Sequence, residues 1–537
     1  MDFQNNNTLI TAQPDYPIYE PRPNFNLSKK DTVFSLLAII FSVFSAIFGI
    51  FGGFAIGYSI SMALMNLLFI CYVFKGGKNK ISSIFYGILS LLNSAVFVCT
   101  TNSSVRFFSV IISFLISIVC FSSFANGKTK SNRQTLGIFF SAVTSVKNIP
   151  LAIKSLFSSE DGNKKTLGKV LIGLVCSIPV LMLVIPLLIS SDYAFRGMMT
   201  NIFSNTISTI FKTIFGLHLS LFVITYGFSL KSGRTEELKE GRFKGIENVY
   251  IISFLSTVSV VYLLYLFSQL AYFFSAFKGF LPDSEITYAQ YARKGFFEMC
   301  AVAVINLFLV FLSLLLSKKE NGNVCNGIKA ILTFISAFTL IIIATAISKM
   351  VLYIGTYGMT VLRLTTSSFM LFLAIVFVST VLRIYIIKVN IIKTALITAC
   401  FIILTLGIAN VNAVCARYNY EAYKAEKLET IDIKAIYDLG DEGIPYIIRL
   451  GASKNKDIAL EARQYLAKAY VYDYFDNLEL YEDFTTEDLK NYEKNKGFSR
   501  FSIPRHNAYK SMYKFIEKNP WFARVCYETL NEPNLYE

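Results

Sequence analysis

VFSLLAIIFSVFSAIFGIF, residues 33–51, decides the fold: the stretch contains no charge and no proline. At 1.5 Å per residue, a helix of this length covers a hydrocarbon core about 30 Å thick. Inside lipid each backbone N–H and C=O must pair within its own segment, so such a stretch can only be a helix. Ten more long, mostly uncharged apolar runs follow, at 54–74, 81–100, 107–124, 170–190, 207–230, 249–274, 297–317, 328–348, 369–387 and 391–414. The expected fold is therefore all-α: a polytopic transmembrane helix bundle of about 11 spans.

Composition agrees with this reading. Of 537 residues, 54% are hydrophobic and 16% charged, where a soluble chain averages about 25% charged. The net charge of +15 is uneven: residues 415–537 hold 18 Lys/Arg against 21 Asp/Glu, which leaves the rest at +18. The basic residues sit between apolar runs, as in cytoplasmic loops, so nucleic acid is not an expected partner. Cys71, Cys99, Cys120, Cys176, Cys300 and Cys400 lie within runs, while Cys325, Cys415 and Cys526 are isolated. No disulfide framework follows from that scatter. With His218 and His506 as the only histidines, a zinc or His-based centre has no ligands to draw on, although an all-carboxylate site stays open. No cofactor is expected. The phosphate-cradling GxxxxGK[ST], the nucleophile elbow GxSxG and the zinc motif HExxH are all missing from the sequence.

Residues 1–32, with Pro14, Pro17, Pro21 and Pro23 among polar residues, read as a disordered cytoplasmic tail. Residues 33–414 form the bundle, and the Tyr-rich, charged 415–537 a small helical domain. Counting residues near span ends, the N-terminal tail and the even-numbered loops hold 25 Lys/Arg against eight in the odd-numbered ones. That bias places the N-terminus in the cytoplasm, and an odd span count places the C-terminal domain outside. The expected location is the plasma membrane, with the lipid bilayer as first partner. In the loop after the fourth span, Leu136, Ile138, Phe139, Phe140, Val143, Val146, Ile149 and Leu151 recur at helical spacing. This is an amphipathic helix over about 136–157, lying either in the inner headgroup layer beside anionic lipid or on the cytoplasmic face of the bundle.

Polar residues in or against spans are the candidates for chemistry. In LPDSEITYAQYARKGFFEMCAVAVIN (281–306), Tyr291, Gly295, Glu298, Val302 and Asn306 recur at three to four residues. They form either a functional stripe or one satisfied by neighbouring helices. In KMVLYIGTYGMTVLR (349–363), Gly355 and Gly358 permit a close approach or a break, and Thr356, Thr360 and Arg363 share a helical face. Arg363 is then a partner for Glu298 or Asp192, or snorkels to headgroups.

The stretches IPLLISSDYAF (185–195), YAQYARKGFF (288–297), KMVLYIGTYGMTVLR and NVNAVCARYNYEAY (410–423) carry a resemblance. Together they resemble an uncharacterised family of polytopic bacterial membrane proteins, common in Gram-positive bacteria and known only as a domain of unknown function. The likeness covers most of 165–450, and Lys349 stands where that family often has arginine. It implies no catalytic role. It does mark Asp192, Tyr288, Tyr291, Arg293, Tyr353, Gly358, Arg363, Asn410, Arg417, Tyr418 and Asn419 as positions of interest.

Three functions compete. The first is a non-enzymatic sensor or scaffold of the cell envelope, with other membrane or envelope proteins as partners. The second is a secondary transporter, which broken charged spans would support. The third is an intramembrane enzyme acting on lipid-linked substrates, with Glu298 or Asp192 as base and Arg293 or Arg363 binding phosphate. Convergence of Glu298, Arg363 and Asp192 on one cavity would favour the last two.

Overall fold

The computed structural model describes residues 25, 27–74, 80–126, 131–156, 193–233, 245–278, 296–318, 324–386, 389–469, 498–519 and 521–522, with isolated positions between 177 and 191. Within these, the first helices are α1 (Lys29–Phe44, continued by a π-helical turn to Ile50), α2 (Ile56–Val73), α3 (Lys80–Cys99), α4 (Ser103–Asn126), α5 (Asn132–Thr144), α6 (Ile149–Leu156), α7 (Tyr193–Lys231), α8 (Asn248–Lys278), α9 (Phe296–Leu316), α10 (Asn326–Tyr357), α11 (Val361–Tyr385) and α12 (Ile391–Ile408). The starts are set by polar caps, which satisfy N–H groups that the first turn leaves unpaired. Ser28 and Asp31 make a capping box for α1, Ser131 and Gln134 one for α5, and Thr360 and Asn390 cap α11 and α12.

Two cores organise these helices. Phe34, Phe69, Leu89, Ile116, Ile224 and Cys400 bring α1–α4, α7 and α12 around one. The second is made of two clusters, Leu255 and Leu332 in one and Met299, Ile342 and Phe377 in the other, both touched by Tyr262, and joins α8–α11. The α11–α12 hairpin connects the two groups. Outward faces stay apolar, as lipid contact requires: on α8, Val260, Val261, Leu264 and Phe267 are all exposed. Close approach is permitted where side chains vanish, since a Cβ on Gly407 of α12 would overlap Val96 of α3.

Long-range bonds sort the helix ends onto two faces. Lys231, ending α7, bonds to Asp31 at the start of α1, and Ser317, after α9, bridges Ile246 before α8. Those ends define the N-terminal face. On the opposite face, Asn410 after α12 bonds to Cys99 and Thr100 between α3 and α4, and Arg106 reaches the carbonyl of Gly53 between α1 and α2.

Among the described residues, eleven helices are long and apolar enough to cross a membrane. Ten coincide with expected spans; the eleventh, Asn132–Ser155, is the amphipathic segment, while the expected span 170–190 lies outside the described residues except at isolated positions. The segment does not cross the bundle. Thr135 bonds to Asn390 at the start of α12, Asn148 to Ser229 at the end of α7, and Ser155 to the backbone of Phe25 before α1. All three anchors lie on the N-terminal face, so α5 and α6 strap across it. Phe51, just past the π-helical turn that extends α1, meets Phe211 and Phe215 in the middle of α7.

Beyond α12 the helices shorten: α13 (Val411–Lys424), α14 (Ile433–Tyr437), α15 (Ile444–Leu450), α16 (Lys456–Lys468) and α17 (Ile503–Lys518). Ile433, Ile436, Ile447, Leu466, Met512 and Phe522 make a third core, separate from the bundle's. Pro445 starts α15, where its missing N–H costs nothing. These helices sit on the face opposite the start of α1.

Candidate functional site

The far-face junction holds a dense polar cluster, built by three asparagines on one short stretch. Asn410, in the left-handed region at φ +57°, ends α12 and caps α13 through Ala413 N–H. A non-glycine residue tolerates that region when its side chain bonds locally, as asparagine does. Its amide also donates to the Cys99 carbonyl at 3.0 Å and accepts from Thr100 Oγ1 at 3.3 Å. Asn412, two residues on, accepts from Asn102 Nδ2 at 2.8 Å and donates to the Leu439 carbonyl at 2.9 Å. Two turns later, Asn419 takes both backbone groups of Met359.

Glu442 completes the junction. Buried to 5% exposure, it accepts from Thr101 N–H at 3.0 Å and from Thr101 Oγ1 at 2.6 Å. Beside it Asp441 pairs with Arg505 at 3.4 Å, and the backbone of Phe501 accepts from Ile56 N–H at 3.2 Å. The loops after α1, α3 and α10 and the end of α12 thus all grip the helical domain. Both Glu442 carboxylate oxygens and both amide groups of Asn412 and Asn419 have protein partners, so these side chains serve as struts.

The expected candidates divide. Tyr353, Arg363 and Asn419 meet at the α10–α11 turn. Arg363 donates to the carbonyls of Tyr357 and Gly358 and lies over the Tyr353 ring, 4.1 Å from its centroid. Gly358 has φ +77°, and a Cβ there would stand 2.7 Å from Asn419 Oδ1, so only glycine fits the turn. The expected shared face of Thr356, Thr360 and Arg363 is broken by this turn: Thr356 belongs to α10, whereas Thr360 caps α11 on Arg363 N–H. Arg417 is exposed and Tyr418 half-buried on α13. Asp192, Tyr288, Tyr291 and Arg293 lie outside the described residues.

Glu298 and Arg363 form no ion pair among the described residues. Glu298 is exposed in the first turn of α9, and Arg363 is held by its own turn. Nor does Glu298 share a stripe with Asn306, which is fully buried. At 3.6 residues per turn, positions eight apart are rotated by about 80°. Asn306 instead accepts from Tyr262 Oη at 2.5 Å and donates to Thr339 Oγ1 at 2.8 Å, tying α8, α9 and α10 together.

Sequence reading missed Thr101, Asn102, Asn412 and Glu442, although the polar run Thr100–Ser103 between two apolar stretches was a signal. It also missed Asp31 and Lys231. Asp31, 4% exposed, accepts from Lys231 Nζ at 2.5 Å, Tyr72 Oη at 2.6 Å and Ser28 N–H at 2.7 Å. Among the described residues no group of three His, Cys, Asp or Glu is arranged to hold a metal.

The profile of the domain-of-unknown-function family DUF4153 matches residues 87–450. The chain belongs to that family. The DUF4153 match takes in Thr101, Met359, Arg363, Asn410, Asn412, Asn419 and Glu442, so every strut named at the junction except those from Ile56, Phe501 and Arg505 falls inside it. Asp31 falls outside. No curated protein and no solved structure matches the chain.

Proposed function

We propose that this DUF4153 protein is a non-enzymatic sensor or scaffold of the cell envelope, with its N-terminus in the cytoplasm and its C-terminal helical domain outside. One observation carries the reading: polar groups at the junction hold the helical domain to three loops of the bundle, those after α1, α3 and α10. A domain fixed this way moves with the helices beneath it, which suits relaying or presenting an external contact. The 25:8 excess of basic residues on the N-terminal side supports the orientation.

A secondary transporter is the second reading. It draws on the two separate helix cores, which rocking about the α11–α12 hairpin could use.

Cells lacking the protein and exposed to envelope stress test the first reading. The full chain should restore growth, and a chain ending at Lys424 that still inserts should not. Restoration by the truncated bundle would reject it, and gradient-driven solute flux by purified protein in liposomes would establish the transporter instead.

A further inference from the structure

The α5–α6 strap has two unlike sides. Thr135, Ile138, Ser141, Ser145, Asn148, Ala152 and Ser155 are buried against the bundle. The other side presents Arg133, Leu136, Phe140, Val143, Lys147 and Lys154, all exposed and three to seven residues apart, with Val143 at 71%. Apolar side chains thus occupy the middle of the outward stripe and cations its ends. From 127 to 159 the sequence has Lys128, Lys130, Arg133, Lys147 and Lys154 and no acidic residue.

We propose that this stripe docks on an anionic phospholipid surface, the headgroup layer of the leaflet at the N-terminal face. Position and charge both point there. The strap's three anchors lie at helix ends on that face, where the acyl chains give way to headgroups. Leu136, Phe140 and Val143 reach the acyl boundary while lysine and arginine stems extend to lipid phosphates. Each cation near such a surface contributes about a fivefold preference for it. The bond partners give the contact a consequence, since the strap touches the residue before α1, the end of α7 and the start of α12. Lipid charge at this face thereby sets how firmly those three helix ends are held. The inference does not rest on the sensor or scaffold reading.

The test uses full-length protein in nanodiscs of phosphatidylcholine alone or with phosphatidylglycerol. Amide exchange over 131–156 should be slower in the anionic discs by about tenfold, the product of a few such preferences partly screened by salt. The triple variant Arg133→Gln, Lys147→Gln, Lys154→Gln should remove that difference. In a Trp521→Phe background, Val143→Trp should be quenched more by lipids labelled near the headgroup than by lipids labelled at the chain end. Equal exchange in both lipids would overturn the anionic preference. Strongest quenching from the chain end would mean that the segment crosses, and quenching by aqueous iodide alone that it faces water. Protection in detergent that grows with protein concentration would give the surface to a second copy of the chain.

Discussion

Asn419 and Met359 pair as two backbone strands would: Met359 N–H donates to Asn419 Oδ1 at 2.7 Å, and Asn419 Nδ2 donates to the Met359 carbonyl at 2.8 Å. A side-chain amide copies the peptide group's donor and acceptor, so one residue satisfies a turn that no neighbouring chain reaches. This pair ties the α10–α11 turn to the first helix beyond the bundle, joining two of the sequence stretches that carry the family resemblance.

Removing it should loosen the domain. Asn419→Ala loses two hydrogen bonds and should cost about 1–3 kcal/mol. Asn419→Asp should cost at least as much, because its second oxygen faces the Met359 carbonyl. Gly358→Ala should mimic the loss, and combined with Asn419→Ala should fall short of the sum. Thermal unfolding in detergent and protease cutting after α13 would register this; full additivity would disprove the contact.

Glu442 should be the costliest strut to lose. Glu442→Ala removes a charged acceptor from Thr101 N–H and hydroxyl, an effect of about 1.5–3 kcal/mol, and Glu442→Gln should be milder. Hydrogen exchange at the Thr101 amide should accelerate in Glu442→Ala. An unchanged rate would show that the carboxylate does not hold the loop.

The Asp31–Lys231 pair should respond unequally to its two deletions. The Asp31 side chain is 6% exposed and that of Lys231 33%. Asp31→Asn keeps an acceptor for the Ser28 N–H cap and leaves a lysine that turns to water, for about 1 kcal/mol, near the figure for an exposed pair. Lys231→Leu strands a buried carboxylate and should cost about 3–5 kcal/mol. The double change should be milder than Lys231→Leu alone, as melting temperatures would show; equal single effects would contradict the asymmetry.

Cysteines placed at Arg133 and Lys154 should be labelled from one side of the membrane, the side of the N-terminus. A reporter fused after Glu537 should report the other side. Labelling of the two cysteines from opposite sides would make Asn132–Ser155 a true span and move the helical domain across.

Reading the runs of apolar residues was enough to obtain the bundle, because lipid selects helices by length and composition alone. Stretches such as 33–51 and 391–414 needed no neighbour to be recognised, and the motifs around Arg363 and Asn419 were enough to suggest the family. Lateral order was not legible. Any apolar face satisfies lipid, so composition says nothing about which helix lies beside which, and hydrogen bonds across helices depend on that order and on rotation. Hence Glu298 was expected to meet Arg363, yet the arginine folds back on its own turn. The amphipathic segment likewise has the length and hydropathy of a span, and only its anchors at Asn390, Ser229 and Phe25 show it lying across one face. Glu442 and Thr101, 341 positions apart, meet because the third core seats its helices on the ends of α3 and α4. Local pattern determined each helix; burial of polar groups, which must find partners wherever the packing brings them, decided the junction.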